Sequence, residues 1–356
     1  MKRAVKLLLS LLLTVVFGWW AFRDTNWKEQ WDSLRSANYL WLIPYLGLLL
    51  CIHLLRTIRW GFLLSGIEKV GFRRLNEAAG IGFMMLLVLP FRLGEFARPF
   101  LINQRSSIRR SAAMTSVVLE RIVDGIFIAV LLRILLFFVP RETETVRYAR
   151  WGANVMFAIF AGGLAFLLFA LWHQKRAVHL VKRTLGRVAP HLADKAAGIV
   201  DAFVGAMRQL PGKGALFGFF AFTGAYWAIT AFSLQLAARA FDCANPRPPG
   251  CLPFHLTMFE SFVVLCVVVV GIMIPSAPGM IGTFQAAMKL GLSLFLPAAV
   301  VNGKGVAFSN VIWFCQTTQQ VLLGLVLMTI GQVSFKDLAG KISSKDEAIP
   351  PGAAPT

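Results

Sequence analysis

An apolar stretch at residues 87–100, LVLPFRLGEFARPF, contains charged side chains whose spacing indicates a binding site. Arg92, Glu95 and Arg98 are spaced three apart, which places them on neighbouring positions of one helical face. Arginine forms bidentate hydrogen bonds with phosphate oxygens, and Gly94 allows a sharp turn or a close approach of the backbone. Charges inside an apolar membrane segment are costly and usually mark function. We expect a site for an anionic lipid head group or a salt-bridge cluster that braces a broken helix, and the two are compatible.

A second charged group follows in the stretch TSVVLERIVDGIFIAV. Glu120 and Asp124 lie four residues apart on one helical face, and Arg121 lies about 100° around the helix. Two carboxylates within a membrane span require partners. We expect them to fix the positions of arginines; the alternative is that they titrate and couple transport to protons. The candidate arginine partners are Arg56, Arg92 and Arg98.

The predicted span at residues 39–64 carries two arginines in its second half. We predict that Arg59 reaches the inner membrane surface as a snorkelling anchor. Arg56 lies deeper in the span, and we expect it to face the binding site.

A third candidate element is the stretch PSAPGMIG at residues 275–282. Two prolines and two glycines in this short stretch exclude a continuous helix, so backbone amides become free. Ser276 and these amides are expected to bond a head group, and Lys289 is expected to line the same cavity; the alternative is a packing kink. The candidate site residues of the stretch are Pro275, Ser276, Gly279 and Gly282.

Motifs for covalent or metal chemistry do not occur in the sequence. It contains no glycine-rich phosphate loop, no nucleotide site of the DxD type, no HExxH, no Ser/His/Asp order and no CxxC or Cys/His pattern. We therefore expect no enzyme activity, no metal and no cofactor. Cys243 and Cys251 flank a proline-rich loop and could form a disulfide if that loop faces an oxidising compartment.

Composition predicts an all-α polytopic membrane protein. The 356 residues are 57% hydrophobic and 15% charged, with a mean hydropathy of +0.67, which is too apolar for a soluble domain. The net charge of +19 indicates basic cytoplasmic loops and contact with the anionic inner leaflet rather than nucleic-acid binding. A nucleic-acid module would interleave its basic residues with exposed aromatic side chains.

Hydropathy predicts about six full spans and two interrupted helix pairs. The first pair, at residues 77–103, has basic residues on both flanks, so a re-entrant hairpin from the cytoplasm satisfies the positive-inside rule. The second pair, at residues 254–297, would enter from outside. Opposite entry of one broken pair per half indicates an inverted repeat. The predicted full spans are residues 7–22, 39–64, 112–139, 151–172, 215–240 and 305–331.

Residues 1–335 are predicted to form a single integral membrane domain with both termini in the cytoplasm. Within this domain, residues 173–213 are basic, and their apolar positions repeat with helical spacing. This pattern predicts paired amphipathic helices on the cytoplasmic leaflet. Residues 336–356 are predicted to form a cytoplasmic tail with a disordered end.

Three motifs resemble a known membrane family by their order and spacing: PFRLGEFARPFLI, VVLERIVDGI and IPSAPGMIGTFQAAMKLGL. They are similar to the flippase-like family that includes the transmembrane region of lysylphosphatidylglycerol synthase, over about residues 80–320. The resemblance implies a lipid translocator for anionic or aminoacylated phospholipids or polyprenyl-linked glycolipids. It does not imply lysyl transfer, because no soluble aminoacyl-transferase domain follows the last span. The implied first half-site contains Arg92, Glu95, Arg98, Glu120, Arg121 and Asp124, and the second contains Pro275, Gly279 and Gly282.

We therefore expect the protein to flip an anionic or lipid-linked head group across the bacterial inner membrane. The expected partners are a phospholipid or polyprenyl-linked lipid and the anionic inner leaflet, with a second copy of the chain as a further candidate. Nucleic acid is not expected. Two alternatives from other classes are a non-transporting scaffold for envelope lipid or glycan synthesis and a membrane enzyme that acts on lipid head groups.

Overall fold

The computed structural model describes residues 15–89, 94–139, 144–186, 204, 212–243, 251–273 and 278–333. All regular secondary structure in these ranges is helical, as predicted for an all-α membrane protein. Residues 15–22 are helical. The helices that follow are α1 (Trp27–Ser36), α2 (Leu42–Leu64), α3 (Phe72–Val88), α4 (Ala97–Arg105), α5 (Arg110–Phe137), α6 (Glu144–Trp172), α7 (Gln174–Gly186), α8 (Lys213–Ala238), α9 (Met258–Ile272), α10 (Thr283–Leu292) and α11 (Val306–Ile330).

Four helical stretches in the described part of the chain are long and apolar enough to cross a membrane. Each exceeds the roughly 20 residues that a bilayer requires, and each matches a predicted span. Helix α5 is also long enough, with 28 residues, but charged side chains occupy its first half. The first predicted span lies partly outside the described residues, so the count of six stays a prediction. The four stretches are Tyr39–Leu64, Val146–Trp172, Lys213–Phe241 and Ala298–Ile330.

Buried apolar side chains form two main clusters. The larger one joins α2, α5, α8, α9 and α10. The smaller one joins α3 and α4 with the first half of α5 and the end of α11. Helix α5 contributes Val117 to the smaller cluster and Ile128 to the larger one. Glu120 and Asp124 of α5 lie between these two positions, so they are buried where the two apolar clusters meet.

The first interruption is a helix hairpin made of α3 and α4. Arg105, at the end of α4, donates hydrogen bonds to Glu77 in α3 and to the Gly331 carbonyl oxygen after α11. Arg74 Nη1 donates to the Arg105 carbonyl oxygen at 3.1 Å. The start of α3 and the end of α4 therefore lie together at one end of the molecule.

The second interruption separates α9 from α10. Gly279 and Gly282 have φ angles of 70° and 82°, in the left-handed region that glycine occupies without a steric cost. Trp313 Nε1, from α11, donates to the Gly279 carbonyl oxygen at 2.7 Å. The turn Pro278–Met280 also packs against α3. The turn of the second interruption therefore contacts a helix of the first, and the two come from different halves of the chain.

Loops form one end of the helix bundle, at residues 68–74, 105–110 and 331. We call this the basic end. Here Glu68 accepts hydrogen bonds from the Ser107 hydroxyl at 2.5 Å and the Ser107 amide at 2.8 Å. These two bonds lower the pKa of the Glu68 carboxyl below its usual value.

Helix α7 covers the first part of the predicted amphipathic pair, whereas most of residues 187–211 lie outside the described part of the chain.

The opposite end, which we call the disulfide end, contains a disulfide within one loop and hydrogen bonds between distant parts of the chain. Cys243 and Cys251 form a disulfide, with 6.1 Å between their Cα atoms. Lys304 Nζ donates to the Leu252 carbonyl oxygen at 2.7 Å, and the Asn26 amide donates to the Asn302 carbonyl oxygen at 3.1 Å. These contacts tie the loop after α8 and the segment before α1 to the start of the last helical stretch.

We expect Gly94→Ala to destabilise the fold, because a Cβ atom there would overlap the backbone of Met85 and Leu86 in α3. A rotamer change cannot relieve a clash with backbone, so we expect a loss of about 2 kcal/mol or more and a lower melting temperature in detergent. Gly71→Ala is the matched control at the other end of α3, because nothing lies within 4 Å of an added Cβ atom there. Equal melting temperatures for the two variants would contradict the close helix contact.

Candidate functional site

Helix α5 places two buried carboxylates, Glu120 and Asp124, against Arg59 of α2. Arg59 Nη2 lies 2.7 Å from Glu120 Oε1, and Arg59 Nη1 lies 2.5 Å from Asp124 Oδ1. The side chains of Arg59 and Glu120 are 0% exposed. Charges are tolerated in such a place only when they are paired and hydrogen-bonded. The predicted role of Arg59 as a snorkelling surface anchor is therefore wrong.

Helix α8 adds two neutral groups to this ion pair. Arg59 Nη1 donates to Thr223 Oγ1 at 3.3 Å, and the Tyr226 hydroxyl donates to Asp124 Oδ1 at 3.3 Å. The sequence does contain a pattern that indicates this position of Arg59, although the location of Arg59 near the end of the span favoured a surface role. Arg59 follows Arg56 by three residues, so both lie on the helical face that was expected to meet the site.

Arg98, in the first turn of α4, pairs with the other oxygen of Glu120. The distance from Arg98 Nη1 to Glu120 Oε2 is 2.9 Å, and the Arg98 side chain is 2% exposed. Its guanidinium carbon lies 4.8 Å from the ring centroid of Phe83. Gly82 provides the necessary room, because a Cβ atom there would overlap the Arg98 side chain. Among the predicted partners of the carboxylates, Arg98 thus makes the expected bracing contact.

Arg121 lies at the edge of the same cluster. Its Nη2 atom is 2.8 Å from Glu120 Oε1 and 3.8 Å from Asp124 Oδ2. The Arg121 side chain is 21% exposed, and it borders two separate cavities. Glu95 is half-buried and borders one of these cavities together with Arg121.

A cavity of about 260 Å³, which we call the central cavity, adjoins this cluster. It is bounded by α2, α3, α8, α9 and α11 and by the turn Pro278–Met280. Arg56 is half-buried on its wall, and the Arg56 guanidinium carbon lies 3.8 Å from the centroid of the Phe83 ring. Several side chains on the wall have buried nitrogen atoms without a hydrogen-bond partner in the described structure: Trp227 Nε1, Gln319 Nε2, Gln320 Nε2 and His53 Nδ1.

The charges of the buried cluster beside the central cavity do not cancel. The described residues contribute four guanidinium groups and three carboxylates, which leaves one positive charge in excess. Glu120 and Asp124 bond to the other arginines, whereas Arg56 contacts an aromatic ring. Arg56 is therefore the cation best placed to bind an anion in the cavity. The charged cluster consists of Arg56, Arg59, Glu95, Arg98, Glu120, Arg121 and Asp124.

The second interruption contributes less to the cavity than predicted. Gly279 lines the cavity, but the Gly282 amide donates to Gln285 Oε1 at 2.9 Å and so is not free for a head group. Lys289, which was expected at the same cavity, instead pairs with Asp24 at 3.6 Å. The remaining predicted site residues lie outside the described part of the chain, so their roles stay predictions: Arg92, Pro275 and Ser276.

Comparison with known proteins identifies the family. A family model described as the lysylphosphatidylglycerol synthase TM region matches residues 7–324. The chain belongs to this family. The match includes both interruptions and the whole charged cluster, which agrees with the resemblance carried by the three sequence motifs. As a member of the lysylphosphatidylglycerol synthase TM family, the chain is a multi-pass membrane protein that handles lipid head groups. No curated protein and no solved structure matches the chain.

We expect Glu120→Gln to destabilise the protein strongly, because three arginines share this carboxylate. Removing one partner of a buried ion pair costs about 3–5 kcal/mol. Glu144→Gln is the control: Glu144 is 64% exposed and pairs with Arg147 on the surface, so we expect a change below about 1 kcal/mol. Thermal unfolding of both variants in detergent measures the difference. Similar melting temperatures would mean that the buried cluster does not stabilise the fold.

Proposed function

We propose that the protein flips a lipid with an anionic or lipid-linked head group across the bacterial inner membrane. The observation that carries this proposal is the position of Arg56, a cation without a carboxylate partner among the described residues, on the wall of the central cavity. A guanidinium group binds a phosphate through paired hydrogen bonds. An anion in the cavity would neutralise the excess positive charge of the cluster.

The arrangement of the two interruptions supports transport rather than static binding. Transporters commonly bind cargo near the middle of the membrane, where broken helices from two related halves meet. Here the turn Pro278–Met280 packs against α3, and both elements border the central cavity. The positive N-terminal end of α4 lies beside Arg98 and favours negative charge. The proposal includes no covalent step, metal or cofactor.

We propose that the basic end faces the cytoplasm, together with both chain termini. Basic residues favour the cytoplasmic side of a membrane, and a disulfide at the opposite end suits an oxidising compartment. With this orientation, the hairpin of α3 and α4 is re-entrant from the cytoplasm. The exposed basic side chains of α7 would then contact the anionic inner leaflet.

We expect Arg56→Ala to slow flipping of a fluorescent phosphatidylglycerol in proteoliposomes by about tenfold or more. Hydrogen bonds to charged groups contribute about 1.5–3 kcal/mol each, and 1.4 kcal/mol corresponds to a factor of ten. Arg133→Ala is the matched control, because Arg133 lies on the exposed side of α5 and bonds to Asn154 at 3.1 Å. We expect it to flip lipid at the wild-type rate.

The flipping assay also separates transport from the alternatives. Wild-type rates for a folded Arg56→Ala variant would exclude the central cavity as the path of the head group. Absence of flipping by the wild-type protein, with lipid still bound, would favour a scaffold. Covalent turnover of the lipid by the purified protein would favour an enzyme.

We expect cysteine labelling to place the two ends of the hairpin on one side of the membrane. Arg73→Cys and Gln104→Cys are suitable positions, because the Arg73 side chain is 79% exposed and Gln104 is exposed. An impermeant thiol reagent should reach both cysteines only from the cytoplasmic side. Reaction from opposite sides would mean that residues 72–105 cross the membrane once and that the re-entrant topology is incorrect.

A further inference from the structure

A second cavity, which we call the apolar groove, adjoins the charged cluster at Arg121 and is not lined by Arg56. It has a volume of about 920 Å³ and is lined by residues 16–20 and by α5, α6, α9 and α10. Arg121 and Glu95 are the charged residues on its wall, and the other lining residues are apolar, aromatic or small. The shape and chemistry therefore suit an amphipathic ligand with one charged end.

The apolar groove opens toward the surface that faces lipid. Helix Val146–Trp172 has the highest mean hydropathy of the four candidate spans, 2.4, and the smallest buried share, 11%. Trp151 and Ile159 of this helix line the groove and are 68% and 64% exposed. A hydrocarbon chain could therefore enter from the bilayer without crossing a polar surface.

The length of the groove matches one leaflet of the membrane. Along α5 it extends from Arg121 to Leu132, which is about 16 Å at 1.5 Å per residue. Half of the hydrocarbon core of a bilayer is about 15 Å. The charged end of the groove lies near the middle of α5, and the other end lies near the disulfide end of the bundle.

Arg121 and Met273 line both the central cavity and the apolar groove. The two spaces are therefore neighbours, separated by these side chains. A head group that contacts Arg121 from the groove is one side chain away from the central cavity. The groove thus supplies a place for the part of a lipid that the smaller, more polar central cavity cannot hold.

We propose that the apolar groove binds one acyl chain of the transported phospholipid, with the head group at Arg121. This proposal rests on the proposed function. The charged end of the groove is nearer the basic end, so the bound lipid has its head group near the middle of α5 and its chain pointing toward the disulfide end. The acyl chain is the preferred occupant because a groove as long as one leaflet fits it, whereas a polyprenyl chain is much longer.

Two glycines of α6 provide a matched test. Gly152 lines the groove, and an added Cβ atom there would meet only Val270, at an ordinary 3.7 Å. Gly163 is on the same helix, is also half-buried and has nothing within 4 Å of an added Cβ atom. Gly152→Trp fills the groove, whereas Gly163→Trp adds the same side chain elsewhere.

Native mass spectrometry of the full chain in detergent measures how tightly each variant retains dioleoylphosphatidylglycerol, dihexanoylphosphatidylglycerol and a polyprenyl phosphate. We expect Gly152→Trp to weaken retention of the dioleoyl lipid by about tenfold or more, since the indole ring would occupy the space of the acyl chain. The dihexanoyl lipid should bind as in the wild type, because Gly152 lies about 12 Å along α6 from Phe160 at the charged end. Gly163→Trp should leave both lipids unaffected.

Equal retention of the dioleoyl lipid by the two tryptophan variants would overturn the proposal. A loss confined to polyprenyl phosphate would assign the groove to a polyprenyl chain and would also overturn it. A change in oligomeric mass in place of lipid loss would identify a second copy of the chain as the occupant. If Arg56→Ala flips lipid normally while Gly152→Trp loses the dioleoyl lipid, the central-cavity function fails and the acyl-chain site stands.

Discussion

The pairing of Arg59 with Glu120 and Asp124 is the interaction on which the rest of the structure depends. Two carboxylates on one face of a membrane helix are acceptable only if cations surround them. Because α5 provides one arginine at the edge, the others must come from α2 and α4. The need for charge compensation therefore fixes the relative positions of three helices. It also forces α4 to begin deep inside the bundle rather than at its surface.

Small residues make that arrangement sterically feasible. Gly82 leaves the space in α3 that the Arg98 side chain occupies, and Gly94 lets the start of α4 approach the backbone of α3. Larger residues would push α4 outward and separate Arg98 from Glu120. Membrane helices generally approach closely at small residues, since burial of apolar surface gives little driving force in lipid. Close packing and charge pairing thus both favour the same position of α4 against α3 and α5. The central cavity is the space that remains beside these helices.

The sequence was sufficient for features governed by local rules. Prolines and glycines identified both interruptions, and the cost of buried charge identified Arg98 and Glu120 as partners. The prediction of a surface role for Arg59 is wrong because it relied on how near Arg59 lies to the end of the span. The contacts of Arg59 depend instead on the face of α2 that carries it, which meets α5. Lys289 was misplaced because its partner, Asp24, comes from a distant part of the chain. The apolar groove could not be predicted, because its walls come from separate helices whose packing no local pattern specifies.

The cross-links at the disulfide end constrain how the molecule can move. The disulfide closes the loop after α8, and the bonds from Lys304 to Leu252 and from Asn26 to Asn302 join this loop and the segment before α1 to the start of the last helical stretch. Opening a passage at this end by spreading the helices would require breaking the two hydrogen bonds between these segments. Rotation of the half that contains α3 and α4 breaks none of them. The disulfide end would then act as a fixed hinge, and under the proposed function the cavity would be exposed by movement of the half of the bundle at the basic end.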